Sequence, residues 1–241
     1  MKIKIPIIAD VDVIVAGLST GAVEAAVAAR EAGRRVFGFT PWTYPGDDVC
    51  AAARYDSLVE SEPSTELAGK LCAPREGGRA LPAPMQVKRP LEQALIRSGV
   101  DLLYMTYPVC LLRDAAGHVA GLAIVNRSGF QAVRGRVIVD GTSRALVGRM
   151  TRSSFRPFAA GRHEFERIVV GGAPQPPEAA RVDTLPLPMR IEDRDVPVHR
   201  YRLDLEVPDG SVGAFARAET RARLATWHAE QAFASDRLFF L

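Results

Sequence analysis

Apolar and polar positions change rhythm several times along this chain. Val13–Ala16 is a continuous apolar run, short enough for a strand buried on both faces. Gly17 breaks the run, and Ser19 or Thr20 can cap the next element. From Gly21 to Ala32 alanine dominates and the only charges are Glu24, Arg30 and Glu31, which predicts a helix that stops at Gly33. Val36–Phe39 then resumes as a second apolar strand. Residues 12–40, DVIVAGLSTGAVEAAVAAREAGRRVFGFT, therefore predict a βαβ unit with a right-handed crossover.

Segment 41–90 loses this rhythm. It contains PWTYPGDD, EPSTE and PREGGRALPAP, and reads as a long surface loop with one short helix near Glu66–Leu71. A loop of this length either covers a site or is an insertion, and both readings stay open. LEQALIRSG (91–99) predicts a short amphipathic helix ended by Gly99, and VDLLYM a further strand. Three strands are expected near 108–113, 118–126 and 130–139, with hairpin turns at Asp114–Gly117 and Ser128–Gly129. The apolar end of the last, Val137 to Asp140, should rejoin the buried sheet and finish in the small-residue turn Gly141-Thr142-Ser143. Further on, 165–172 and 199–208 read as strands, and Ala214–Phe233 has helical composition.

Composition narrows the class. A chain of 241 residues that is 47% hydrophobic can bury a core, as one large domain or two small ones. Charged residues make up 24% and are mixed in sign, which argues against disorder. The formal charge of +3 comes mostly from scattered arginines, without the basic stripe and interleaved aromatics of a nucleic-acid binder. Cys50, Cys72 and Cys110 are odd in number and far apart, so neither a disulfide framework nor a zinc knuckle is expected. Asp10 and Asp12 interrupt the N-terminal apolar stretch, which argues against a signal peptide. No run approaches the roughly 18 apolar residues of a membrane span. The expectation is a soluble, cytoplasmic protein.

The turn after the first strand decides what the βαβ unit is for. The dinucleotide fingerprint G-x-G-x-x-G/A places its three positions on Gly17, Ser19 and Ala22. Serine replaces the middle glycine, but it is small and can donate to a phosphate oxygen. The helix start still offers N–H groups and partial positive charge to an anion. Thr40 stands where an acid normally holds the ribose hydroxyls. Asp47 and Asp48 follow closely, but only a loop excursion brings them back. Taken alone, the turn is equally consistent with a βαβ unit that is pure scaffold.

The ordered set of segments resembles the flavin-binding half of FAD-dependent oxidoreductases with a glutathione-reductase-type fold. The likeness covers about residues 8–150. DVIVAGLSTGAVEAAVAAREAG is similar to their first βαβ turn, and YPGDDVCAAARY to a segment after the second strand in one subgroup. VKRPLEQALIRSGVDLLYMTYP resembles the helix and strand before the adenine contact. GHVAGLAIVNRSGFQAVRGRVIVDGTSRA resembles the β-meander and closing strand. The resemblance implies an α/β, Rossmann-like FAD-binding domain with parallel sheet and β-meander over 1–150, with 41–90 inserted. Residues 151–241 would be part of a smaller α+β substrate domain. It places Gly17, Leu18, Ser19, Thr20, Gly21 and Ala22 at the FAD pyrophosphate, and Thr40 at the ribose. The main chain at Val109 would meet adenine, and Gly141 and Thr142 would lie near the adenosine end. The family's closing turn is usually followed by an acid, where this chain has Arg144. Relatives are longer, and their final segment returns to the flavin; none is visible here before Leu241.

Other candidate chemistry is thin. His118, His163, His199 and His228 have no metal-ligand spacing, and no metal site is expected. Cys50 reads as a small core residue, and Arg144, Arg149, Arg152 and Arg156 as a solvated helix face. Ser19 lacks the flanking pattern of a nucleophile elbow. No residue is singled out as catalytic. The leading expectation is an FAD-dependent oxidoreductase moving a hydride from a small organic molecule to bound flavin, without nucleic-acid or membrane partners. It would act as a homo-oligomer or with a completing partner chain. The alternative is a non-catalytic or truncated flavoprotein-like subunit. A third reading is a domain for a smaller adenine nucleotide.

Overall fold

A computed structural model describes residues 4–60, 62–72, 80–151, 153–175 and 180–240. The chain divides into two compact units. The first comprises 1–48 with 88–155, and the second 49–87 with 156–241.

The apolar run at 13–16 is the buried end of a longer strand, β1 (Ile7–Ala16), whose N-terminal half is more exposed. Helix α1 (Thr20–Glu31) comes next, starting one residue before the expected position, with Gly33 just beyond it in the left-handed region. It turns Ala22, Val23 and Ala26, neighbours at helical spacing, into the core. Strand β2 (Val36–Phe39) coincides with the expected span and is buried throughout. Next come α2 (Asp47–Cys50), α3 (Asp56–Glu60), α4 (Glu66–Cys72) and α5 (Pro84–Arg97). The described residues of segment 41–90 thus carry α2, α3, α4 and the start of α5, where one short helix near α4 was expected. Val49, Ala51, Tyr55, Leu67 and Leu81 are buried in it, which a solvated loop would not do. Helix α5 begins well before Leu91 because Pro90 lies inside it without ending it. Proline normally stops or kinks a helix, and reading it as a stop hides the first half.

Strands β3 (Asp101–Leu103), β4 (Tyr107–Arg113), β5 (Val119–Asn126) and β6 (Gly129–Asp140) complete the first sheet, in the order β3-β2-β1-β6-β5-β4. β1 pairs in parallel with β2 and with β6, and β2 in parallel with β3. β4, β5 and β6 form the antiparallel meander. β6 serves both parts: Gly129–Arg134 pairs with β5, and Ala132–Asp140 with β1. Its core gathers Val11, Ile14, Phe37, Phe39, Leu122, Ile124 and Val133. The fold is the α/β arrangement expected, a Rossmann-like parallel sheet extended by a meander.

The second unit contains β7 (Gly161–Val170), β8 (Ala180–Thr184), β9 (Met189–Ile191), β10 (Arg194–Val196), β11 (Val198–Val207), α6 (Val212–Thr226), β12 (Phe233–Ala234) and β13 (Phe239–Phe240). The sheet order is β12-β7-β11-β8, with β13 also on β7 and β9-β10 a separate pair. Ala214, Ala218 and Ala222 recur every fourth residue on α6 and pack with Phe165, Tyr201 and Leu203. Helix α6 ends at Thr226, short of the expected Phe233, because Phe233 and Ala234 pair with β7 instead. Arg144, Arg149 and Arg156 lie on no α-helix; a single 3-10 turn spans Gly148–Met150, and Arg152 falls outside the described residues. Among the described residues, no helix is long and apolar enough to cross a membrane. No group of three or more His, Cys, Asp or Glu residues could hold a metal there.

Two polar ties, the first buried and the second half-buried, hold distant segments together. Arg167 donates from Nε to Thr226 Oγ1 at 2.7 Å and from Nη1 to the Ser235 carbonyl, fastening the end of α6 to the chain before β13. Burial, then the neighbouring Arg223, lowers its pKa to about 10. Arg167→Met should cost about 1–3 kcal/mol, read as a lower urea midpoint. Adding Thr226→Val should cost less than it does alone, because the two changes remove one shared bond. In the first unit, the Tyr104 hydroxyl donates to Glu92 Oε1 at 2.7 Å. Burial, then Glu92, raises its pKa above the ordinary 10.0. Ionisation is thus opposed in the folded chain only. The contribution is full below pH 10 and is lost as the pH rises from there towards the folded value. Urea unfolding compared at about pH 9 and about pH 11 should show a smaller alkaline loss for Tyr104→Phe than for the unaltered protein.

Candidate functional site

The candidate site lies at the carboxyl end of β1 and β6, where parallel strands leave their free ends. Gly17 has φ +80°, a conformation that suits glycine. Its N–H donates to Phe39 O at 2.8 Å, and the N–H of Gly141 donates to Ala16 O at 2.7 Å. A Cβ on Gly17 would stand 2.7 Å from the carbonyl carbon of Gly141. One on Gly141 would stand 2.4 Å from the Cβ of Ala22. Gly17, Ala22 and Gly141 are thus drawn together, and the third fingerprint position is small because the closing strand passes against it.

Leu18 is fully buried, and its carbonyl accepts from Gly46 N–H at 2.6 Å. Ser19 caps α1: its Oγ accepts from Ala22 N–H at 3.4 Å and its carbonyl from Val23 N–H at 2.9 Å. Thr20 donates its N–H to Asp48 Oδ1 at 2.9 Å and its hydroxyl to Asp48 Oδ2 at 2.6 Å. Gly21 is exposed, has no neighbour within 4 Å of a Cβ built on it, and its N–H meets no acceptor among the described residues. Of the first-turn N–H groups, Gly21's is the one open to a ligand.

Thr40 lies next to this turn but is fully buried. Its Oγ1 accepts from Trp42 N–H at 3.3 Å, and its carbonyl accepts from Thr106 N–H at 3.0 Å. Val109 is 38% exposed on β4, at an irregularity where Pro108 pairs Ile124 and Cys110 pairs Ala123.

Two carboxylates shape the site beyond the fingerprint. Asp48 does return from its loop, to the start of α1 rather than to Thr40. Asp140 accepts from the N–H and the hydroxyl of Thr142 through Oδ1, at 3.1 and 2.6 Å. Its Oδ2 accepts from Gly148 N–H at 2.8 Å, so it fixes the closing turn. The Asp-Gly-Thr order carries that signal, since aspartate bonds its own backbone two residues on. Nothing local signals the return of Asp48. His118 is exposed beside Asp114, and His163 contacts Ala159 O. His199 and His228 are buried in the second unit.

No protein-family model matches the chain. No curated protein matches it either. Solved structures do. OxyS anhydrotetracycline hydroxylase from Streptomyces rimosus aligns with TM-score 0.57 and 14% identity, over 96% of this chain and 52% of that one. CabE, an aromatic hydroxylase from angucycline biosynthesis, gives TM-score 0.55 and 17% identity, over 96% and 52%. The flavin-dependent brominase Bmp2 gives TM-score 0.50 and 12% identity, over 80% and 56%. The chain spans about half the length of these proteins. At such identities the likeness is one of fold alone: a Rossmann-like α/β sheet with an added antiparallel sheet.

The packing around the turn sets up a contrast between neighbouring glycines. Gly17→Ala and Gly141→Ala should each destabilise the chain by several kcal/mol, on the order of 3, because backbone must shift. Gly21→Ala should be neutral or stabilising by about 0.5–1 kcal/mol, since it lies in open space on a helix. Thermal melts followed by circular dichroism measure the three side by side.

Proposed function

We propose that this chain is an FAD-dependent oxidoreductase whose FAD pyrophosphate lies over the first turn of α1. One feature supports the reading above the others. The turn Gly17–Ala22 is closed against Gly141 at the carboxyl end of parallel strands, leaving the Gly21 N–H and an empty face above it. The residues suit the group in shape: glycine allows a phosphate close to the backbone, and Ser19 offers a hydroxyl beside it. When bound, FAD supplies a hydride acceptor for oxidation of a small organic molecule. The chain's own part is to bind and orient it. The turn from Ser19 to Ala22 holds the pyrophosphate, and Gly141 with Thr142 flanks the adenosine end. Thr40, being buried, supports the turn through the β2 end, while the exposed main chain at Val109 is offered to adenine. The resemblance to glutathione-reductase-type flavoproteins belongs to this proposal, as does a completing partner chain or a second copy.

The burial of Thr40 and the acid on Thr20 favour a second reading, in which the βαβ unit is scaffold in a non-catalytic flavoprotein-like subunit. An absorption spectrum of the purified chain, followed by denaturation and identification of released cofactor, separates the two. Flavin bands with about one FAD per chain are expected. A protein that stays colourless after incubation with FAD sinks the flavin-enzyme reading.

A further inference from the structure

The start of α1 already holds an anion of its own. Both oxygens of the Asp48 carboxylate are engaged by one residue, Thr20, through its N–H and its hydroxyl. Asp48 is no free-swinging surface acid, because two residues earlier Gly46 N–H is bonded to Leu18 O at 2.6 Å. The carboxylate is therefore tied in place on both sides of the Leu18–Thr20 turn. It offsets the partial positive charge of the helix terminus. The open N–H of Gly21 is the next one along, so any phosphate bound there sits beside a fixed negative charge.

We propose that Asp48 is a charge filter on this turn, admitting a pyrophosphate diester and disfavouring a free terminal phosphate. The inference rests on reading the turn as a dinucleotide site. In a dinucleotide each phosphorus carries a single negative charge. The terminal phosphate of ADP is a monoester-like group with about 1.5 to 2 negative charges near neutrality. Repulsion from a fixed carboxylate grows with that charge. At a surface dielectric, each added unit charge a few ångströms away changes affinity by roughly tenfold or more. The filter thus acts on the ligand's charge, with no contact to its base or sugar. At the same time Asp48 satisfies Thr20 when no ligand is bound, as a helix-capping acid does.

The test is isothermal titration of the full chain with FAD and with ADP, comparing the unaltered protein with Asp48→Asn. Asparagine keeps nearly the same shape and one oxygen for the Thr20 N–H. Its amide NH2 replaces the oxygen that accepted from the Thr20 hydroxyl, which must then accept instead. ADP affinity should rise by roughly tenfold or more and FAD affinity by less, shrinking the preference for FAD. Added salt should narrow the gap between the two proteins. The apo variant should melt at a lower temperature than the unaltered protein, opposite in sign to its gain in affinity. Asp48→Ser repeats the loss of charge with a smaller side chain should the first variant fold poorly. An unchanged ADP-to-FAD ratio, or weaker binding of both ligands, overturns the filter and leaves the flavin reading standing if FAD still binds. A gain for ADP with no FAD binding to either protein means no diester is admitted, and overturns both the filter and the flavin reading. Silence with both ligands and both proteins overturns both.

Discussion

Gly17 and Gly141 approach so closely that their backbones share the space a side chain would fill. This contact lets β1 and β6, parallel neighbours through Ala16↔Asp140, end together and turn outward on the same side. Gly17 must adopt a positive φ to start α1 where it does, and Ala22 must be small for the closing strand to pass. The cost of ordering this backbone is offset by the apolar core beneath it, where Ile14, Ala16, Phe39 and Ile124 are fully buried. A larger residue at either glycine would separate the strands or tilt the helix, and the open face above Gly21 would go with them.

Carboxylates do at this site what backbone groups alone cannot. Asp140 collects three donors and folds the chain after β6 into a tight turn. Asp48 collects two donors at the start of α1. Each satisfies groups that would otherwise face solvent unpaired, and each places fixed charge next to the helix terminus or the closing turn. The electrostatic character of the site therefore comes from residues outside the fingerprint, while the fingerprint residues set its shape.

The second unit is organised by a different constraint. A stripe of alanines brings α6 down onto the β7–β11 sheet, and a buried arginine must then find partners away from water. Arg167 finds them in Thr226 and the Ser235 carbonyl. Its Thr226 bond anchors the last turn of α6, and Trp227 then turns extended. The residues after it are free to add Phe233 and Phe239 to β7. On the other face, Asp56 of α3 pairs with Arg200, and Glu166 lies 3.8 Å from both Arg200 and Arg202. The Asp56–Arg200 pair joins the segment starting at Val49 to residues far along the chain, as do the bonds from Leu81 N–H to Pro188 O and from Arg237 N–H to Ala51 O.

The features legible in the sequence were local. The end of β1, helix α1, strand β2 and the hairpin turns near Asp114 and Ser128 arise from apolar periodicity, a capping serine and glycines at turns. These signals act within a few residues of where they are written. The shape of the turn after β1 was legible too, through Gly17, Ser19 and Ala22. The first half of α5, the early end of α6 and the edge strands on β7 were not. Pro90 hid the first half of α5, while the end of α6 and the edge strands depend on partners brought in from afar: Arg167 reaches Thr226 across 59 positions and Ser235 across 68. Asp48 is the clearest case, since its bond to Thr20 spans 28 residues and no periodicity encodes it. By itself the sequence determined the βαβ unit and the form of its glycine turn, because short-range sterics and hydrogen bonding suffice for both. Only the tertiary structure decided which charge sits at the helix start, because that required loop and helix to be packed together first.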